Sequence, residues 1–145
     1  MKPLTRRAIL LSSLLVACGP KGDPARQALD AVVKGAEGRD ADDVLKRIAA
    51  DYKDDEGSGR VEVEGLLKRY LAAYDSLSIR LSDVTIEPGA SARRATFVAH
   101  LSGTPRKLGG LEGFLPRSAA YRFEVRLAPE NGVWKIYKAS WRQLE

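Results

Sequence analysis

Two hydrophobic periods divide this chain, and the change falls near Ser76. Before it, apolar residues recur every three to four positions, the spacing of one helix face. Asp23-Pro24 reads as a helix start, with Asp as N-cap and Pro at the first helical position, where its missing N–H costs nothing. Ala25, Ala28, Leu29, Val32, Val33 and Ala36 form its stripe, and Gly35 and Gly38 are expected to end it. Asp40 reads as the cap of a second helix, with stripe Ala41, Val44, Leu45, Ile48, Ala49 and Tyr52. A third helix is predicted over about Val61 to Asp75, on Val63, Leu66, Leu67, Tyr70, Leu71 and Tyr74.

After Ser76 the period is two. Leu77, Ile79 and Leu81 alternate with polar residues, the phase slips, and Val84 and Ile86 continue it. A slip inside one long strand predicts a bulge near Ser82-Asp83 that bends the sheet. A second strand over about 92–103 puts Ala95, Phe97, Ala99 and Leu101 on one face. The stretch 104–117 reads as a glycine-rich loop carrying Leu108, Leu111, Phe114 and Leu115, either a flap over a pocket or a loop tucked onto the core. The third strand alternates Tyr121, Phe123, Val125 and Leu127 with Arg122, Glu124 and Arg126. Asn131-Gly132 is a strong hairpin signal, and a last strand carries Trp134, Ile136, Tyr137 and Trp141. The expectation is an α+β domain, three N-terminal helices packed on a strongly curved, four-stranded antiparallel sheet.

The N-terminal stretch fits neither period. Lys2, Arg6 and Arg7 precede an apolar run, Ala8 to Ala17, broken only by Ser12 and Ser13. That run is half the ~20 residues a membrane-spanning helix needs, and its flanks are those of a secretory signal. Leu15-Val16-Ala17-Cys18 resembles the lipobox of bacterial prolipoproteins and contains the chain's one cysteine. The resemblance implies acylation of the Cys18 sulfur and cleavage before it. Residues 1–17 are then a signal peptide, 18–23 a lipidated Cys and short tether, and 24–145 the domain. Attachment of several acyl chains gives the anchoring that one chain cannot. Gly19 lacks the aspartate that resembles an inner-membrane retention signal. The expected place is therefore the outer membrane facing the periplasm in a Gram-negative cell, otherwise the outer face of the cell membrane. Thr5-Arg6-Arg7-Ala8-Ile9-Leu10 resembles a twin-arginine export motif, or serves as a plain basic leader.

The signal also accounts for much of the charge. The whole chain carries +5; without Lys2, Arg6 and Arg7, 21 basic and 19 acidic side chains remain, a balance of +2. The balance is uneven: residues 18–74 hold 10 basic and 12 acidic side chains and residues 75–145 hold 11 and 7, so the C-terminal half is mildly basic. This favours an anionic surface or ligand, and falls short of the dense stripe of a nucleic-acid binder.

The order and lengths of the elements, with the closing Asn131-Gly132-Val133-Trp134-Lys135-Ile136 and Trp141, resemble the nuclear transport factor 2-like superfold, a cystatin-like cone with a cavity at its mouth. The fold hosts ketosteroid isomerase, polyketide cyclases, dehydratases and transport adaptors, so it selects no activity by itself. An enzyme of those kinds needs a carboxylate base in an apolar cavity and donors for the developing enolate. Asp83 is the candidate carboxylate, with Tyr70, Tyr74 and His100 as candidate donors; the phase of His100 points it away from Phe97 and Leu101. One His and no thiol beyond Cys18 argue against a transition-metal site. No nucleophile elbow or phosphate-cradling loop is present, and no cofactor is expected. Asp51 to Glu62 has the length of a calcium loop, yet holds Lys53 at its third position and Glu56 at its sixth, where that loop has glycine.

The reading this supports is a membrane-tethered, non-enzymatic module in the cell envelope. It binds a small apolar or anionic ligand, or an envelope protein, at a pocket edged by Tyr70, Tyr74, Phe97, Phe123 and Trp134. The alternatives are an isomerase, cyclase or dehydratase acting on a small hydrophobic substrate in the same pocket, and a homodimer formed through the outer sheet face.

Overall fold

Asp23 starts the domain as its sequence implies: its carboxylate accepts hydrogen bonds from the backbone N–H of Ala25 (2.7 Å) and Arg26 (3.2 Å). A computed structural model describes residues 22–107, 110, 113 and 115–145. The proposed lipidation site Cys18 and the loop residues Leu108, Leu111 and Phe114 lie outside them. Helix α1 (Pro24–Glu37) buries Ala25, Ala28, Leu29 and Ala36. Gly35 does not end α1. It lies buried within it, and a Cβ there would meet the backbone nitrogen of Val44 at 3.0 Å, so its role is to let α2 (Ala41–Leu45) pack closely.

The expected second helix is cut short. After α2 the chain becomes a strand, β1 (Ile48–Asp54), so the sheet has five strands rather than four. The side chain of Arg60 explains the break: it donates to the carbonyls of Leu45 (3.0 Å) and Ile48 (3.3 Å). The Ile136 N–H meanwhile takes the Arg47 carbonyl (2.8 Å). With its carbonyls committed elsewhere, a continuing helix has no ladder to build. Where the β1–β5 register shifts, the Ala50 N–H is satisfied by the Glu130 carboxylate (3.1 Å).

Helix α3 (Arg60–Ala72) ends earlier than the apolar stripe suggests, and Tyr74 is the first residue of β2 (Tyr74–Ile86) instead of the last of a helix face. β3 (Arg93–Pro105), β4 (Ser118–Glu130) and β5 (Val133–Leu144) complete the sheet. Its order is β1-β5-β4-β3-β2, with β1 parallel to β5 and the remaining neighbours antiparallel. The β2–β3 register shifts between Ser82 and Thr85, and Asp83 takes a φ of 54°, which places the expected bulge. Asn131 (φ 53°) and Gly132 (φ 81°) make the left-handed pair a two-residue hairpin needs. The bent sheet wraps α1 and α3. The core lies between them, around Leu29, Ile48, Tyr52, Ala95, Val125 and Leu127. Every described helix and strand lies downstream of residue 22.

Candidate ligand cavity

The core does not close completely. A cavity of about 450 Å³ lies between the sheet's inner face and helices α1 and α3, a size typical of small-molecule sites. The period of two fills its sheet wall: Ile79 and Leu81 from β2, Phe97, Ala99 and Leu101 from β3, Tyr121, Phe123 and Val125 from β4, and Ile136, Ala139 and Trp141 from β5. Leu29, Val32 and Val33 of α1 and Val63, Leu66, Leu67 and Tyr70 of α3 form the opposite side. Trp141 and Leu66 both line the cavity and are 40% and 48% exposed, which places the mouth between β5 and α3.

An aromatic run crosses the floor. Phe97 and Phe123 stack at 5.3 Å between centroids, and Phe123 meets Trp141 at 6.0 Å and Tyr121 at 6.3 Å. None of the 22 lining residues is charged. The polar atoms of their side chains are the hydroxyls of Tyr52, Tyr70 and Tyr121 and the indole nitrogen of Trp141. Burial, followed by the negative charges of Asp54 and Asp55, pushes the Tyr52 phenol up to about 12. Burial also raises Tyr70 far above the ordinary phenol range, with Tyr74 beside it adding to the shift. These hydroxyls stay protonated at neutral pH. They are donors to a guest's oxygen and cannot serve as bases.

Of the residues expected at the pocket, Tyr70, Phe97 and Phe123 line it, while Tyr74 and Trp134 do not. Tyr74 is 1% exposed and donates its hydroxyl to the Pro116 carbonyl (2.7 Å), which ties β2 to the segment before β4. Trp134 lies under the Arg93 guanidinium, 4.9 Å from its centroid, and Arg93 pairs with Asp23, so this ring secures the start of α1 on the sheet. Asp83 is exposed at the bulge and is not part of the lining. His100 is on the outer side of β3, bonded through Nε2 to the Ser82 hydroxyl (2.9 Å). Trp141 and Tyr121 belong to the cavity and were not singled out as pocket residues. Their in-phase positions on the closing strands were the available signal.

The acidic stretch after β1 is built on itself. The Asp54 carboxylate accepts from the backbone N–H of Glu56 (2.9 Å) and Ser58 (2.8 Å). Among the described residues, no group of three or more His, Cys, Asp or Glu side chains is placed to hold a metal ion.

This arrangement of a bent sheet closed over helices recurs in solved structures. A nuclear transport factor 2-like superfamily protein from Salmonella enterica superposes with a TM-score of 0.65 at 13% identity, covering 82% of this chain and 87% of that one. This chain has the nuclear transport factor 2-like fold. A cystatin-like protein of unknown function from Nostoc punctiforme matches with a TM-score of 0.63 at 12% identity, covering 81% and 86% of the two chains. A provisionally named scytalone dehydratase from Novosphingobium aromaticivorans matches at 0.69 and 12%, covering 82% and 80%. No protein-family model matches the chain, and no curated protein sequence does. Within the nuclear transport factor 2-like fold, similarity at this level fixes architecture and leaves chemistry to the site.

Proposed function

We propose that this protein is an exported, lipid-anchored binding module that holds an uncharged, largely apolar small molecule in its cone. The observation that carries the reading is the lining of the 450 Å³ cavity, which contains no charged side chain. Proton abstraction from an enolisable substrate near neutral pH is most often the work of a carboxylate or imidazole within hydrogen-bond reach of the reacting atom. The two nearest candidates by sequence, Asp83 and His100, are outside the lining. The tyrosine hydroxyls can donate hydrogen bonds and are suited to orienting a carbonyl or hydroxyl on the guest. The anchoring half of the reading rests on Leu15-Val16-Ala17-Cys18 behind a basic and apolar leader.

Native mass spectrometry of the processed protein from a bacterial envelope tests the binding half. A reproducible extra mass that is lost on denaturation, and absent from a cavity-filled Ala99→Leu variant, is the expected result. A bare mass for both proteins counts against a carried guest. Incorporation of labelled palmitate that disappears in Cys18→Ser tests the anchoring half separately.

A further inference from the structure

The outer face of the same sheet carries a concentration of unpaired positive charge that the cavity does not explain. Lys53 of β1 pairs in register with Lys138 of β5, Lys138 with Arg126 of β4, and Arg126 with Arg94 of β3, so one row of four cations crosses four strands. One further row sets Arg122 opposite Arg142, and Arg80 stands on β2 beside His100. All seven cations are exposed. Arg94 is paired with Glu87 and Glu124, and Lys138 approaches Asp55 at 3.9 Å. Lys53, Arg80, Arg122, Arg126 and Arg142 have no carboxylate partner among the described residues. Like charges directly opposite each other across strands destabilise a sheet, so folding does not account for these rows.

We infer that this outer face docks on an anionic bilayer surface. A second copy of the chain is a poorer fit, because a two-fold contact centred on this face would bring two predominantly cationic surfaces together. The position of the tether favours a bilayer over an acidic protein. Asp23 is bound to Arg93 on the helix side of β3, so the chain leaves the domain at the end of the sheet where Arg94 begins the cationic row on the opposite face. Five residues back, at most about 18 Å of extended chain, is Cys18. The choice of a bilayer rests on the anchoring reading; the cationic face does not.

The test uses residues 19–145 made without acylation, a chain that contains every described helix and strand. Flotation with vesicles of phosphatidylcholine mixed with phosphatidylglycerol is compared with phosphatidylcholine alone. Binding is expected only to the mixed vesicles, weakening as salt rises. Each of Arg122→Gln, Arg126→Gln and Arg142→Gln is expected to weaken it about fivefold. Lys68→Gln, on α3 away from the sheet, is expected to leave it unchanged. No binding to the mixed vesicles, or binding indifferent to the three arginines, overturns the proposal. Because the chain tested has no acyl group, either failure leaves the palmitate result at Cys18 standing on its own.

Discussion

The two faces of one sheet have opposite chemistry. Along β4, Tyr121, Phe123 and Val125 line the cavity, while Arg122, Glu124 and Arg126 between them face outward. Along β3, Phe97, Ala99 and Leu101 line the cavity, and His100 sits outside. A strand's period of two is the cause: neighbouring residues share a backbone position and nothing else. The difference shows how one sheet can present a cavity lining with no charged side chain on one face and a strongly cationic surface on the other. Of the sheet's titratable side chains, those that line the cavity are the phenols of Tyr52 on β1 and Tyr121 on β4.

Adjacent residues should therefore respond to mutation in opposite ways. The largest expected effect is at Leu127, which is 0% exposed: Leu127→Ala should cost about 3 kcal/mol of stability. Arg126→Ala, one residue away on the outer face, should stay within about 0.5 kcal/mol. Urea unfolding midpoints of the two variants give the contrast, and equal losses would break it.

Next comes Ala99→Leu, which adds volume to the cavity wall. It should weaken guest binding by about tenfold or more, with a stability change of about 1 kcal/mol. His100→Ala, its neighbour on the other face, should leave binding unchanged in the same titration. A smaller effect is expected at the bulge. Asp83 holds a φ of 54°, which β-branched residues resist, so Asp83→Val should destabilise by about 1 kcal/mol while Asp83→Gly does not. Neither variant should alter guest binding, and loss of binding in Asp83→Asn would favour the enzyme reading.

The subtlest expectation is a pH profile. The Tyr52 phenol is raised in the folded state to about 12 from an ordinary 10. The folded protein thus holds this proton more tightly than the unfolded chain does. Stability from that group is full below about pH 10 and is lost as pH rises towards 12. Chemical denaturation across that range should show the decline, and Tyr52→Phe should flatten part of it.

Much of this architecture was legible in the sequence, and the parts that were not share a cause. The cap at Asp23, the bulge at Asp83, the Asn131-Gly132 turn and the alternation of β3 to β5 are local signals, and the structure has each of them. Strand β1 was hidden because Val44, Leu45, Ile48, Ala49 and Tyr52 satisfy a helical period equally well. What makes it a strand is parallel pairing with β5, more than eighty residues away, together with Arg60. The sequence pattern likewise placed Tyr70, Phe97 and Phe123 on inward faces. It could not separate a ring that lines the cavity from Tyr74, whose partner at Pro116 is set by tertiary packing.

The most direct test of the central claim, that the inner face holds an uncharged guest, is a titration with the neutral fluorophore N-phenyl-1-naphthylamine, followed by its emission and by quenching of Trp141 at the mouth. The account predicts saturable one-to-one binding that is insensitive to salt, weakened about tenfold or more by Ala99→Leu and unaffected by Arg122→Gln. Binding that fails to saturate, or whose affinity is unchanged in Ala99→Leu, would contradict it.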